Sequence, residues 1–249
     1  MLILVTFAVD AEFSPWRKRR KFRQLSDSGF ASTLGGDCDH QIVVLLTGIG
    51  EAAAEAAIAR SGHFASARPD VLISSGFAGA LKAQFEPGTI VAPAKTRSLK
   101  NHANVDSNVA VREEAIRLGA APIDNLITLD RLVKTAEEKE KLASFGEAID
   151  MESAVVMSRF ASAQVPTAAL RVISDGASED LPVDFARCLT PQGTIKPMSL
   201  ANQLVRRPGS LPNLVRFARQ SYDAAQKLGD FLEKLVISLT ATYARPAKV

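Results

Sequence analysis

The sequence predicts an α/β protein with a largely parallel sheet, and three observations carry the prediction. Short apolar, β-rich runs alternate with Ala-rich stretches of helical character. Several runs are apolar without a break, as expected of strands buried on both faces. Glycine turns or acids follow the ends of these runs, where open α/β sheets gather their ligands.

Taken in order, the first strand is Leu2–Ala8 and the second Gln41–Thr47. The turn Gly48–Ile49–Gly50 leads into a helix from Glu51 to about Ser61. Asp70–Ser75 is a third strand, closed by Gly76 and Gly79, and the Pro87–Gly88 turn precedes a short strand, Thr89–Ala92. Ile123–Leu129 is the next strand, and a charged helix covers about Ala136–Phe145. Met151–Ala163 reads as a buried helix, with Ala154, Val155, Met157 and Ala161 on its apolar side. Pro166 then enters the strand Thr167–Ile173. Beyond it, Pro182, Pro191, Pro197, Pro208 and Pro212 break residues 180–212 into short pieces. A long helix follows from about Asn213 to Leu239, with Leu214, Phe217, Ala218, Ala225, Leu228, Phe231, Leu232 and Leu235 on one stripe. Tyr243–Val249 is expected to fray.

The 249 residues suffice for one large domain, and neither an internal repeat nor a low-complexity linker divides them. A single domain over 1–249 is therefore expected, with 180–249 as a C-terminal Pro-rich segment plus long helix. Apolar residues make up 47% and charged residues 23%, the balance of an ordinary globular protein. A net charge of +3 is too small to argue for nucleic acid as partner. No apolar run approaches the ~20 residues that span a bilayer. The start reaches Asp10 and Glu12 without a basic region before its apolar run, which argues against a signal peptide. Two cysteines, Cys38 and Cys188, imply no disulfide framework and point to a reducing cytoplasm. His40, His63 and His102 lie far apart, so no metal is expected. The Gly48-x-Gly50-x-x-Ala53 turn lacks the acid that a dinucleotide site needs at the end of the next strand, where Ser74 and Ser75 stand instead.

Three acids stand at predicted strand ends or helix starts: Glu12 after the first strand, Glu152 opening its helix, and Asp175 after Thr167–Ile173. Each has an ordinary structural reading, Asp175 as an N-cap, Glu152 as a first-turn acid and Glu12 as a loop acid. Together they also match what cleavage of a ribosyl–base bond demands. The leaving base needs a proton, the oxocarbenium-like sugar needs negative charge near its hydroxyls, and a nucleophile must be held opposite.

The segment Asp150–Met151–Glu152–Ser153, followed by Arg171–Val172–Ile173–Ser174–Asp175, resembles the purine nucleoside phosphorylase superfamily. Within it, the likeness is to the methylthioadenosine/S-adenosylhomocysteine nucleosidase branch. Gly48–Ile49–Gly50 resembles that family's Ser-Gly-Ile-Gly turn, and Ser75–Gly76–Phe77–Ala78–Gly79 its glycine loop near the nucleophile. The resemblance implies a three-layer α/β/α sandwich with a mixed, largely parallel central sheet, an oligomer, and no organic cofactor. It also implies roles. Met151 and Glu152 would hold the ribose, Ser174 and Asp175 would face the base with Asp175 as acid, and Gly76, Phe77, Ala78 and Gly79 would line the pocket. Glu12, within Ala8–Val9–Asp10–Ala11–Glu12, resembles the acidic stretch by which nucleosidases position water, where trimeric phosphorylases hold phosphate with glycine and arginine. Hydrolysis of a 5′-substituted adenine nucleoside is favoured over phosphorolysis, and a non-catalytic nucleoside-binding protein stays open.

Two features loosen the substrate. Asp130–Arg131–Leu132 stands where the adenine-specific branch has Asp-Ala-Phe, so Leu132 replaces an aromatic against the base. Pro191–Thr194, then Leu204–Gly209 and Leu211–Pro212, resemble the ending of hopanoid-associated nucleosidases, which act on adenosylhopane. Six of the seven residues from Arg17 to Arg23 are basic, a patch that would suit an anionic membrane, although such runs are more often a solvated loop.

Overall fold

A computed structural model describes residues 1–34, 40–61, 68–188, 190, 197–206, 209 and 211–243. Cys38, His63, Pro191–Thr194, Arg207, Pro208 and most of the expected frayed tail lie outside these.

The strands are β1 (Leu2–Phe7), β2 (Arg23–Gln24), β3 (Gly29–Leu34), β4 (His40–Leu46), β5 (Val71–Ala80), β6 (Ile90–Ser98), β7 (Asn104–Asp106), β8 (Ala121–Thr128), β9 (Ala148–Asp150) and β10 (Thr167–Asp175). The helices are α1 (Asp10–Arg19), α2 (Glu51–Arg60), α3 (Val109–Arg117), α4 (Ala136–Leu142), α5 (Ser153–Ala161), α6 (Phe185–Cys188), α7 (Pro197–Arg206) and α8 (Leu211–Tyr243). The sheet runs β10-β6-β8-β9-β5-β1-β4-β3-β2, with β7 on β6 and a further pairing of β10 with β5 that returns the path on itself. At its centre β4, β1, β5 and β10 are parallel neighbours. It is more mixed than expected, because β3–β4, β2–β3, β5–β9, β6–β7 and β6–β10 are antiparallel.

The side-chain alternation of β1 explains the layers. Ile3, Val5 and Phe7 enter one core with Phe13 and Trp16 of α1 and Leu228, Leu232 and Leu235 of α8. Leu4 points to the other face, into a core with Ala54 and Ile58 of α2 and Val155, Val156 and Phe160 of α5. Both faces being covered, the strand reads as a continuous apolar run. The expected stripe on the last helix is buried at Ala225, Leu228, Phe231, Leu232 and Leu235, while Ala218 is exposed.

Several boundaries move. The glycine turn expected at Gly76–Gly79 is strand, since β5 continues through it to Ala80. Pairing with β10 holds both glycines in the ladder, Gly76 opposite Arg171 and Gly79 opposite Asp175, and β9 pairs with Gly79 on the other side. Likewise Ser174 and Asp175 are the last residues of β10 rather than the loop after it. The strand expected at Thr89–Ala92 extends to Ser98, and Met151 and Glu152 precede their helix, Glu152 standing at its N-cap.

The basic run forms the second half of α1 and the turn after it. Trp16 is fully buried and donates its indole N–H to Glu233 at 2.8 Å. Arg20 pairs with the same carboxylate, Arg19 with Asp230, and Arg17 with Asp10. Three of the six cations are thus paired with acids, two of them, Arg19 and Arg20, across to α8. No helix among the described residues is long and apolar enough to cross a membrane.

Candidate active site

Four buried charged groups, Arg171, Asp150, Glu12 and Glu152, gather beside the central strands. Arg171, in the middle of β10, is 1% exposed. Its guanidinium meets Asp150, at the end of β9, at 2.6 Å, and donates to Ser153 Oγ at 2.7 Å and Ser74 Oγ at 3.2 Å. Asp150 is held further by the Thr128 hydroxyl at 2.6 Å and the Ser153 amide at 3.1 Å.

Glu12 lies in the first turn of α1, where the helix dipole favours a carboxylate. Its Oε2 accepts from the amides of Ala8 (2.9 Å) and Val9 (3.2 Å), and Oε1 from the Phe77 amide at 2.8 Å. The link to β5 depends on Gly76. A Cβ there would meet the Arg171 guanidinium and stand 2.8 Å from Glu12 Oε1, and the backbone has φ of +140°. Glycine alone permits both. Burial raises the Glu12 pKa above its ordinary value, opposed first by Arg171 and then by the three amides.

Glu152 is 7% exposed, and its Oε1 accepts from the Gly50 amide at 2.7 Å. Gly50 presents that N–H from a left-handed conformation, φ +87°, at the start of α2. The Glu152 pKa is pushed up to about 8, by burial first and then by the Asp150 charge, against the pull of Arg171 and the Gly50 amide; Glu12 adds to the rise. One guanidinium thus serves three carboxylates, which leaves the centre short of positive charge.

A carboxyl that stays protonated in the fold well above its ordinary pKa of 4.5 favours the folded state fully below that value. The contribution is lost as pH rises through about 8, where the buried group must ionise. Glu152→Gln, which never ionises, should therefore melt above the native protein at alkaline pH. The expected gain near pH 9 is on the order of 2–3 kcal/mol, discounted for coupling to Asp150 and Arg171, and it should vanish near pH 4. Thermal melts at the two pH values check this; equal melting at both would contradict it.

Asp175 occupies a second position at the same sheet edge. It pairs with Gly79 of β5 while Arg171 pairs with Gly76, so roughly 10 Å of strand separates it from the Arg171 cluster. Its Oδ1 accepts from the Ser174 hydroxyl at 2.6 Å, and its Oδ2 meets Lys139 Nζ at 2.5 Å. A cavity of about 550 Å³ opens on Asp175, walled by Ala136, Glu179, Arg216, Phe217 and Gln220. That volume suits a small organic ligand. Glu12 and Glu152 are not among its walls.

Of the residues singled out by sequence, Glu12, Gly76 and Phe77 meet around one carboxylate, and Glu152 joins them through the shared guanidinium. Ser174, Gly79 and Asp175 form the second position, with the Ser174 hydroxyl 3.3 Å from Ala78 O. The Met151 methyl stands 4.0 Å from where a Gly50 Cβ would be. Leu132 is half-buried, next to Arg131, which pairs with Glu138, and it is not among the walls of the Asp175 cavity. His40 contacts the chain's own amino terminus at 3.2 Å, and Cys188 is buried.

Sequence reasoning missed three charged residues. Arg171 and Asp150 sat inside the quoted motifs without a role; an arginine within an otherwise apolar strand was the available signal. Lys139 carried none, lying among Glu137, Glu138, Glu140 and Lys141 on a helix that reads as solvated.

Residues 17–122 match the model of the phosphorylase superfamily. A search of the curated proteins found no match. Among solved structures the chain is similar to the 5′-methylthioadenosine/S-adenosylhomocysteine nucleosidase of Campylobacter jejuni, with a TM-score of 0.71 and 17% identity over 96% of this chain and 99% of the other. It resembles the futalosine hydrolase of Helicobacter pylori at TM-score 0.69 and 16% identity, covering 96% and 99%. A putative nucleosidase of the first kind from Francisella philomiragia gives TM-score 0.67 and 19% identity, covering 95% and 98%. At these identities the likeness establishes the shared fold, a mixed α/β architecture of the phosphorylase/nucleosidase type.

Proposed function

We propose that this chain, folded as the nucleosidases are, hydrolyses the N-glycosidic bond of a purine nucleoside. The observation that carries the reading is the pairing of a carboxylate cluster, Glu12 and Glu152 around Arg171, with a separate acid, Asp175, at the same edge of the sheet. A nucleoside laid along the strand ends would put its sugar at the first and its base at the second. Glu152 would accept hydrogen bonds from the ribose hydroxyls, with Met151 and Phe77 against the sugar. Glu12 would take a proton from the attacking water as it bonds to the anomeric carbon. Asp175 would give a proton to the departing base, so that the C–N electron pair leaves on a neutral purine.

Water is favoured over phosphate by charge. Arg171, the cation of the cluster, is already engaged by the Asp150 carboxylate and by Ser153 and Ser74, so an entering dianion would meet the Asp150 charge beside it rather than a free cation. Base release should proceed at an unchanged rate when inorganic phosphate is added, and a rate that requires phosphate would make the protein a phosphorylase. Glu12→Gln should lower the rate of base release by roughly 10²-fold or more by removing the water-activating base.

For the substrate, the similar structures belong to enzymes named for methylthioadenosine, adenosylhomocysteine and futalosine, which supports a 5′-substituted nucleoside. The adenosylhopane reading rests on the sequence near the C-terminus alone. Release of free base across methylthioadenosine, adenosylhomocysteine, deoxyadenosine and adenosylhopane ranks these substrates. No base release from any nucleoside that binds would leave a binding protein.

A further inference from the structure

Lys139 is the most deeply buried lysine among the described residues, at 1% exposure, on a helix whose neighbouring charges face water. An ammonium has three N–H donors. All three are used, on Asp175 Oδ2 at 2.5 Å, Gly176 O at 2.7 Å and Glu179 O at 2.9 Å. The two carbonyls alone would serve a clip between α4 and the loop after β10. The third bond goes to the proposed acid instead. With the Ser174 hydroxyl on Oδ1, both oxygens of Asp175 hold donors, which fixes the orientation of the carboxyl.

We propose that Lys139 is a positioning residue that aims the Asp175 carboxyl at the departing base. This rests on the reading of Asp175 as the proton donor to the base. Other charges near the pair come from three directions. On the loop, Glu179 accepts from the Gly176 amide and from Gln220, and Asp180 accepts from the Ala136 amide. From α8, Arg216 reaches Glu179 at 3.6 Å, and Gln220 donates to Ser174 O. From α4 itself, Glu138 is paired with Arg131.

The test is kcat and KM for a purine nucleoside that the native enzyme cleaves, measured for the native chain, K139M, K139Q, K139R and D175N. In K139M and K139Q kcat should fall by roughly 10-fold or more with KM little changed, as expected when a reacting group loses its alignment. K139R, which keeps a donor toward Oδ2, should recover part of that loss. Native-like kcat in K139M and K139Q, or no recovery in K139R, would overturn the proposal, leaving a structural clip. So would failure of both variants to fold, judged by circular dichroism. D175N separates the two levels of inference. Near-native turnover in D175N removes Asp175 as the acid, whereas an inactive D175N beside native-like kcat in K139M removes only the role of Lys139.

Discussion

Asp175→Asn should lower the rate of base release by about 10²–10⁴-fold, the range that a positioned general acid supplies. An amide has no proton of suitable acidity to give, so the purine would have to leave as an anion. The change is nearly isosteric, and the fold should persist. Lys139 would keep the carbonyls of Gly176 and Glu179 and could still donate to the Asn oxygen, so its ammonium would not be stranded. Substrate binding should change little, because the ribose contacts are assigned to Glu152 and Met151. Steady-state release of free base, with binding measured separately, checks both halves. Turnover near the native rate would sink the assignment of Asp175.

The largest expected effect on stability lies at Arg171. Arg171→Met removes the one cation among the described residues that faces Asp150, Glu12 and Glu152, and Asp150 has no exposed side-chain surface. Removing one partner of a buried pair costs about 3–5 kcal/mol because the remaining charge is left uncompensated. Set against a typical stability of about 5–15 kcal/mol, that loss approaches unfolding. Arg171→Lys should recover only part of it. A single ammonium cannot reproduce the fork that reaches Asp150, Ser153 and Ser74 together. Urea unfolding of the two variants measures the difference, and a native-like midpoint for Arg171→Met would show that the acids are neutral without it.

These two residues show how unevenly the sequence disclosed the site. Asp175, Glu152 and Glu12 stood out because carboxylates at the ends of apolar strands are conspicuous. Their separation into two positions, proposed above for sugar and base, was not visible, since it depends on β10 pairing with β5 in a register that sets Arg171 beside Gly76 and Asp175 beside Gly79. Helix α1 escaped notice because Pro15 reads as a breaker and the basic run as a solvated loop. Its buried face, Phe13 and Trp16, becomes apparent only once α8 lies against it. The three-residue strands β7 and β9 have too few residues to show a period.

The sequence by itself determined the α/β class, the central strands, the long last helix and the identity of the three acids. These follow from local patterns: unbroken apolar runs, helical stripes, and acids placed where such runs end. Tertiary structure decided that the sheet is so strongly mixed, that the glycine turn is a strand, and that Lys139 is buried against Asp175. It also decided that one arginine answers for three carboxylates. Each of these depends on which segments become neighbours across the sheet, and burial or charge pairing between distant residues leaves no periodic trace along the chain.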